Sequence, residues 1–232
     1  MPVQMRPATA ADGPSLAPVY LSAFHDNPVA STCFPQNSPA CREWLSKAFA
    51  EEAKDPRAHL LVVTDPDDAE NPDRVIAWAK WVRPARDGEP NVTPPPPGPE
   101  AWPEEGDPAF AHDFFGGIGR NHARVMGDVR HWYLELVVCH RDHQGRGAAS
   151  PLLRWGCERA DEDGVVAFLE SMPKAKAVYE RYGFEGVDRL EFTTPAGELV
   201  TQDFMVRKGR AAGDYGRVLA NAERGDGGQQ LL

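Results

Sequence analysis

The residues best suited to chemistry lie in one segment, where an apolar strand leads into a glycine-containing turn and then a helix. The strand is predicted over 130–139, and the turn carries Gly145, Arg146 and Gly147. The first amides of a helix have no intrahelical acceptors and lie at the positive end of its dipole, so they attract anions. Glycines let an anion approach the backbone, and an arginine adds a charge-assisted contact. The segment therefore predicts a phosphate site suited to a pyrophosphate.

Three interpretations of this turn are open from the residues alone. The glycines could serve only the connection between strand and helix. They could form a dinucleotide fingerprint, although a polar stretch, 140–144, separates the strand from Gly145, and no acid that clearly suits a ribose ends a following strand. They could instead bind the pyrophosphate of an acyl-CoA.

The residues of the turn resemble the pyrophosphate motif of the GNAT N-acyltransferase superfamily, Gln/Arg-x-x-Gly-x-Gly/Ala. The matching stretch here runs from Gln144 to Ala149 as Gln-Gly-Arg-Gly-Ala-Ala. The segment 177–184 resembles a second family marker, with Tyr179 four residues before a Gly-Phe pair. The segment 5–12 resembles the opening strand and helix cap of the family. The layout is most similar to the filamentous-fungal members.

The resemblance implies acetyl-CoA as the cofactor and direct transfer of its acetyl group to an amine, without a metal. Ser171 lies near the position where the family often carries an asparagine for pantetheine, so the contact there departs from the family pattern. The implied cofactor-binding residues are Val137, Val138, Cys139, Gln144, Gly145, Arg146, Gly147, Ala148, Ala149 and Ser171.

Two side chains are candidates for the proton transfers of this reaction. Glu135 lies on the same strand face as Tyr133, and we interpret it as the base that takes the amine proton through water. A structural ion pair is the alternative for Glu135, and His131 on the same face is the reserve base. Tyr179 is implied as the acid, because a phenol with a pKa of about 10 can protonate a thiolate whose own pKa is about 8.5. Packing against the helix face is the alternative for Tyr179.

The acceptor side is less well defined by the sequence. Four residues are expected to line the acceptor pocket: Phe24, Asp26, Phe34 and Trp81. Asp26 could hold a cationic amine, or could be a solvated residue at a helix end. The predicted function is N-acetylation of a primary amine on a small molecule. The alternatives are a protein lysine or N-terminal acetyltransferase and a non-catalytic acyl-CoA-binding sensor.

The composition excludes several other classes of protein. The 232 residues include 25 basic and 35 acidic side chains, a net charge of −10, so we expect neither nucleic acid nor an anionic membrane as a partner. No apolar run approaches the roughly 20 residues that span a bilayer, and no secretory signal is recognisable. The four scattered cysteines predict reduced thiols and no metal site. We expect a cytoplasmic monomer or homodimer.

The elements that position these residues alternate between strands and helices. We predict an α/β (α+β) fold that forms a single GNAT-like domain over 1–208. Its mixed, largely antiparallel central sheet has six or seven strands and is flanked by about four helices. The segment 84–108, with nine prolines and a net charge of −5, is predicted to be an acidic surface insertion. Within it, Pro94–Pro97 could form a lid or a partner-binding segment. The tail 209–232, with six glycines, is expected to be mostly disordered.

The pattern also predicts the bounds of three local segments. A proline-containing break is predicted over 27–35, between the first two helices. Helices are predicted from about Pro108 to Gly127 and from about Gly147 to Ala160.

Overall fold

The computed structural model describes residues 3–92 and 98–224, which form a mixed α/β fold. Its strands are β1 (Gln4–Pro7), β2 (Ala58–Thr64), β3 (Val75–Val82), β4 (His131–Cys139), β5 (Val166–Ser171), β6 (Phe184–Thr193) and β7 (Leu199–Arg207). Its α-helices are α1 (Gly13–Ala23), α2 (Pro28–Cys33), α3 (Pro39–Glu52), α4 (Pro108–Met126), α5 (Ser150–Asp163), α6 (Pro173–Glu180) and α7 (Ala212–Glu223).

The chain forms two compact units. The first contains the residues up to Val82 together with 103–106 and 134–155, and the second contains 83–102, 107–133 and the residues from 156 onward. The strand order is β1-β2-β3-β4 in the first unit and β4-β5-β7-β6 in the second, since β4 contributes residues to both. The β1/β2, β2/β3, β5/β7 and β6/β7 pairs are antiparallel. The predicted mixed α/β fold with a largely antiparallel sheet is therefore confirmed, with seven strands.

Two tryptophans on β3 define the two faces of the sheet in the first unit. The Trp78 indole N–H donates to the Leu16 carbonyl of α1 at 3.1 Å, and the ring packs on Phe49 of α3 with centroids 4.6 Å apart. The Trp81 indole N–H donates to the Leu152 carbonyl of α5 at 3.0 Å. Because side chains alternate along a strand, Lys80 shares the face of Trp78, which α1 and α3 cover. All of β3 is buried.

The second unit has its own aromatic core. Phe168 of β5 and Phe204 of β7 are fully buried, with ring centroids 6.0 Å apart. Helix α4 packs Phe114 against Phe192 of β6 at 4.6 Å. The bounds predicted for α4 are confirmed to within a residue. Its start is capped by the Asp107 carboxylate, which accepts from the Phe110 N–H at 2.9 Å.

The structure contains two α-helices where the sequence predicts none. Helix α2 lies in the predicted break, because Pro28 is at its first turn, where a missing N–H costs nothing. The Asn27 side chain caps it by accepting from the Ala30 N–H at 2.8 Å. Helix α7 lies in the tail and buries Val218. The expectation of disorder is therefore wrong for Ala212–Glu223, while 225–232 lie outside the described residues.

The acidic insertion is anchored to the second unit on both sides of Pro94–Pro97. The Asn91 side-chain amide donates to the carbonyls of Gly127 and Val129 at 2.8 and 2.9 Å. The Trp102 ring stacks on Phe115 of α4, with centroids 5.0 Å apart. The predicted lid or partner segment at Pro94–Pro97 lies outside the described residues.

Among the helices that the structure does describe, none is long and apolar enough to cross a membrane.

Asp12 links the first strand to the first helix. The Arg6 guanidinium donates to both Asp12 oxygens at 3.0 and 2.7 Å. The backbone N–H and the hydroxyl of Thr9 donate to Oδ2 of the same carboxylate at 2.8 and 3.0 Å. The hydrogen bonds from Arg6 have the largest effect on this carboxylate. Together with those from Thr9 they outweigh the opposing effect of burial and lower the pKa of Asp12 to about 2.

We predict that Asp12→Asn lowers the free energy of unfolding by about 1 kcal/mol at pH 7. The effect is smaller than the pKa shift alone implies, because water screens the exposed Arg6 side of the ion pair. A depressed carboxyl pKa stabilises the fold above the unfolded-state value of 3.8, and this contribution fades as the pH falls towards about 2. Urea unfolding at pH 7 and pH 3 should therefore show a smaller deficit at pH 3. Glu43→Gln, which removes an exposed ion pair with Lys47, is the control. An equal deficit for Asp12→Asn at both pH values would contradict the prediction.

Candidate active site

The predicted phosphate site lies in the first unit, between the end of β4 and the start of α5. Gly145 and Gly147 have φ angles of +73° and +82°, which favour glycine. A Cβ at Gly145 would meet no atom within 4 Å, and one at Gly147 would approach only the Ser150 hydroxyl at 3.8 Å. The space beside both backbone segments is open. The glycines are thus required by the turn and also leave its backbone accessible to an anion.

Helix α5 begins at Ser150, three residues later than the sequence predicts. The Ser150 N–H donates to the Gly147 carbonyl at 3.0 Å, so the chain is still in the turn at this point. The Gln144 side-chain amide donates to the Cys139 carbonyl at 3.1 Å and thereby ties the turn to the end of β4. Arg146 is exposed, whereas Ala148 is buried and Ala149 is partly buried. Arg146 is therefore the turn cation that solvent reaches.

The end of β4 carries three further residues that the sequence assigns to the cofactor. Val138 is buried, and Val137 and Cys139 are partly exposed. Burial raises the pKa of the Cys139 thiol to about 11, although Arg146 acts in the opposite direction. The thiol therefore stays protonated at neutral pH, which does not suit a nucleophile. All four cysteines are free.

Glu135, the candidate base, belongs to an ion-pair cluster of the first unit. The Lys80 ammonium of β3 donates to Glu135 Oε1 at 2.7 Å and lies 3.2 Å from Oε1 of Glu52, the last residue of α3. The Lys80 side chain is only 9% exposed, whereas the two glutamates are about one-third exposed. One ammonium is thus shared by two carboxylates that solvent can reach.

The charges of this cluster determine which atoms can move a proton. Burial alone would lower the pKa of Lys80, but Glu135 and Glu52 together raise it above its usual value. Lys80 therefore stays an ammonium. Burial raises the pKa of Glu52 to about 6, with Lys80 opposing and Glu135 adding to the shift. Oε2 of Glu135 is itself buried and has no hydrogen-bond partner in the described part of the chain. Its lone pairs are therefore not engaged by another described residue.

The second unit holds the candidate acid, Tyr179, and Ser171. Tyr179 is buried on α6, with its ring edge-on to Phe184 at 6.2 Å. Burial raises the pKa of the Tyr179 phenol to about 12, so it keeps its proton at neutral pH. The buried Ser171 hydroxyl donates to the Met172 carbonyl at 2.9 Å. Ser171 could therefore offer a ligand only an acceptor oxygen.

A buried polar network in the second unit was not predicted as a group. His131 Nδ1 lies 2.7 Å from the Val129 carbonyl, which can only accept. His131 Nε2 is 2.7 Å from His122 Nε2, so His122 donates and His131 accepts. Both rings are buried, and burial, followed by His131, lowers the pKa of His122 well below its usual value. Both nitrogens of the predicted reserve base, His131, are thus occupied within the core.

Tyr133 and Glu170 extend the polar interior of the second unit. The Tyr133 hydroxyl donates to Glu170 Oε2 at 2.8 Å, and the Tyr133 ring lies 4.4 Å from His122. One signal could have revealed this group in the sequence. Glu170 is an ionisable residue in an otherwise apolar strand, and such a residue needs buried partners.

The predicted acceptor residues occupy two different environments. Trp81 is fully buried with its N–H bonded to α5, and Phe34 is buried between Tyr20 and Trp44 at 5.9 and 5.5 Å. In this structure both rings lie in the core, Trp81 on the face of β3 that α5 covers and Phe34 against rings of α1 and α3. Phe24 is partly exposed, and the 77% exposed Asp26 pairs with His25 at 2.7 Å. A substrate role for Phe24 and Asp26 stays a prediction.

The comparisons with known proteins identify the family. The model of the acetyltransferase (GNAT) family matches residues 28–184, more than half of the chain. The chain therefore belongs to the GNAT acetyltransferase family, which implies acyltransferase activity. The resemblance to the superfamily is confirmed, and the resemblance to its filamentous-fungal members stays a prediction.

Several solved structures share the fold. One is histone acetyltransferase HPA2 and related acetyltransferase from Corynebacterium glutamicum. It has 22% identity and a TM-score of 0.57, and the match covers 89% of this chain and 96% of that chain. Arabidopsis thaliana NAA60 in complex with a bisubstrate analogue has 14% identity, 88% and 97% coverage, and a TM-score of 0.53. The ribosomal-protein-S18-alanine N-acetyltransferase of Escherichia coli has 15% identity, 89% and 93% coverage, and a TM-score of 0.51. At these identities the likeness supports the fold alone.

We predict that Lys80→Met lowers the free energy of unfolding by about 2–3 kcal/mol at pH 8, because it leaves two carboxylates without their shared cation. Protonation relieves this repulsion, and the pKa of Glu52 is about 6, so the deficit should shrink at pH 5. Urea denaturation at both pH values measures the effect. Lys47→Met, which removes the exposed Lys47–Glu43 pair, is the control. A loss for Lys80→Met no larger than for this control would contradict the prediction.

Proposed function

We propose that the protein transfers an acetyl group from acetyl-CoA to a primary amine of a small molecule, by direct attack in a ternary complex. One observation carries the proposal. The strand that holds Glu135 continues through the short segment 140–144 into the open turn of Gly145 and Gly147. The proposed proton acceptor and the proposed anion site would therefore lie on one continuous segment of the first unit.

The residues of the first unit fit the cofactor. The open backbone of Gly145 and Gly147 and the exposed Arg146 suit a pyrophosphate. Backbone groups of 137–139 would bind the pantetheine arm, which is an amide-containing chain that can pair with a strand. Acetyl-CoA would supply the activated thioester carbonyl.

The proposed reaction assigns one proton to each candidate side chain. The acceptor amine first releases one proton to solvent and attacks in its neutral form. As its nitrogen forms a bond to the acetyl carbon, Oε2 of Glu135 takes the second proton from that nitrogen, directly or through water. The carbon–sulfur bond then breaks, and the sulfur takes a proton from the Tyr179 phenol. The phenol is protonated at neutral pH, as a general acid must be, although its raised pKa makes it a weaker proton donor than a free phenol.

A cationic amine is the acceptor class that the charge of the protein favours. The net charge of −10 raises the local concentration of small cations, and the exposed carboxylate of Asp26 could contribute to this attraction. A protein lysine or N-terminal amine is the competing acceptor. The assay below distinguishes the two classes.

The test is release of free CoA thiol from acetyl-CoA in the presence of an amine panel. The panel contains monoamines, diamines and polyamines in one arm and basic peptides with free or blocked N-termini in the other. Turnover confined to the small-amine arm is the expected result. Turnover confined to peptides would replace the small-molecule acceptor with a protein one. CoA binding without turnover on either arm would favour a non-catalytic sensor.

We predict that Gly147→Glu abolishes CoA binding, because it places a side chain and a negative charge beside the open turn. Gly197→Glu is a matched control, since Gly197 has the same φ of +82°, also has open space beside it and lies in the turn between β6 and β7. Isothermal titration calorimetry with CoA compares the two variants with the unmodified protein. Loss of affinity only in Gly147→Glu is the expected result. Retained affinity in that variant would contradict the assignment of the turn.

We predict that Tyr179→Phe lowers kcat by about 10- to 100-fold, as expected for loss of a general acid, and leaves CoA affinity within about twofold. Tyr182→Phe changes a less buried tyrosine just after the same helix and should match the unmodified protein. Steady-state rates and calorimetry provide the two measurements. An unchanged kcat for Tyr179→Phe would exclude the phenol as the acid.

A further inference from the structure

We propose that Glu52 is a positioning residue for acetyl transfer, which shares the Lys80 ammonium with Glu135 and so keeps Oε2 of Glu135 available for the acceptor proton. The inference rests on the proposed function, in which Glu135 is the base. Glu52 itself is not assigned a contact with either substrate. It acts through Lys80.

The geometry places Glu52 and Glu135 against the same ammonium. Lys80 Nζ is 2.7 Å from Glu135 Oε1 and 3.2 Å from Glu52 Oε1, so both carboxylates are within ion-pair distance of one cation. They come from the end of α3 and from β4, while the cation comes from β3. Lys80 is buried on β3. Trp78 and Trp81 of the same strand donate hydrogen bonds to helices on its two faces, and these bonds hold the backbone from which the Lys80 side chain extends.

Sharing the ammonium changes what Glu135 can do. An ammonium with three N–H donors and only one carboxylate partner can engage both oxygens of that partner. A second carboxylate competes for the N–H donors of the ammonium and so limits its contact with Glu135 to Oε1. The buried Oε2 of Glu135 has no hydrogen-bond partner among the described residues, which agrees with this arrangement. With Glu52 neutral, Lys80 would bind Glu135 alone, and Oε2 would be less able to accept a proton.

Four titratable groups face Glu52 from the elements around it. Lys80 on β3 opposes the rise in its pKa, whereas Glu135 on β4 and Asp55 after α3 add to it. Tyr20 on α1 is the fourth, and burial raises the pKa of its phenol above the usual value, with Glu52 contributing. Tyr20 is therefore neutral at neutral pH. The balance leaves Glu52 with a pKa of about 6, so it is ionised above that pH and neutral below it.

The experiment is the pH profile of kcat and kcat/KM, measured from about pH 5 to about pH 9 for the unmodified protein, Glu52→Gln and Glu51→Gln. Glu51 is the neighbouring residue on α3, is 73% exposed and pairs with Lys54, so it is a matched control. For the unmodified protein and the control, kcat should fall on the acid side with an apparent pKa near that of Glu52. For Glu52→Gln this limb should disappear, and kcat should be about 10-fold lower across the plateau, with the KM for acetyl-CoA within about twofold.

A double-mutant cycle shows whether Glu52 acts through Glu135. Adding Glu52→Gln to Glu135→Gln should cause no further loss of kcat, because the base it positions is already gone. An equal loss in both backgrounds would overturn the proposal. So would a Glu52→Gln profile identical to that of the unmodified protein.

Two further outcomes keep the proposal falsifiable. If Glu52→Gln does not fold, Glu52→Asp is the second variant. It retains the charge but draws the carboxylate away from Lys80, so kcat should fall by about threefold or more. A kcat for Glu52→Asp equal to that of the unmodified protein would overturn the proposal. Absence of acetyl transfer by the unmodified protein to every amine and peptide would overturn the proposed function as well. Transfer with an unchanged Glu52→Gln profile would overturn this inference alone.

Discussion

A lysine ammonium buried inside a central strand constrains the first unit. Removing a cation from water costs several kcal/mol unless anionic partners and good hydrogen bonds offset it. Lys80 is only 7% exposed and lies on the strand face beneath α1 and α3. Two carboxylates therefore have to reach it, one from the end of α3 and one from β4. Glu52 at the end of α3 and Glu135 on β4 therefore both lie within ion-pair distance of this one ammonium.

Strand β4 connects the Lys80–Glu135 ion pair to the turn that follows the strand. Alternation along the strand puts Glu135 on the face of the lysine, and the strand then ends at Cys139, whose carbonyl is bonded by Gln144 of the turn. Gly145 and Gly147 complete the turn with positive φ angles and leave its backbone open. A strand fixed by a buried ion pair thus leads into the turn proposed as the anion site, and a rigid element holds functional groups more accurately than a free loop does.

The parts of this site that could be predicted are those encoded locally. The glycine turn and the Tyr179 marker are short patterns, and Glu135 follows from alternation on a single strand. Lys80 and Glu135 are 55 residues apart, and no local pattern pairs them. The burial of Trp81 could not be predicted, because an aromatic side chain on a strand fits a core and a pocket equally well until the covering helices are known. The sequence around Pro28 predicts a break, but proline is equally compatible with the first turn of a helix, and α2 begins there.

Stability alone does not explain why β3 carries a charge at Lys80. Apolar residues of similar volume at the three positions of such a buried cluster are often as stable as the ion pairs or more stable, and the rest of β3 shows that this strand accommodates Trp78 and Trp81 without exposure. What an apolar cluster could not supply is a carboxylate with one oxygen held and the other left to accept a proton. Two carboxylates around one ammonium also leave a net negative charge, which favours an approaching cationic amine over an anion. The cluster therefore fits the proposed proton transfer from an amine, which the packing of the sheet alone would not require.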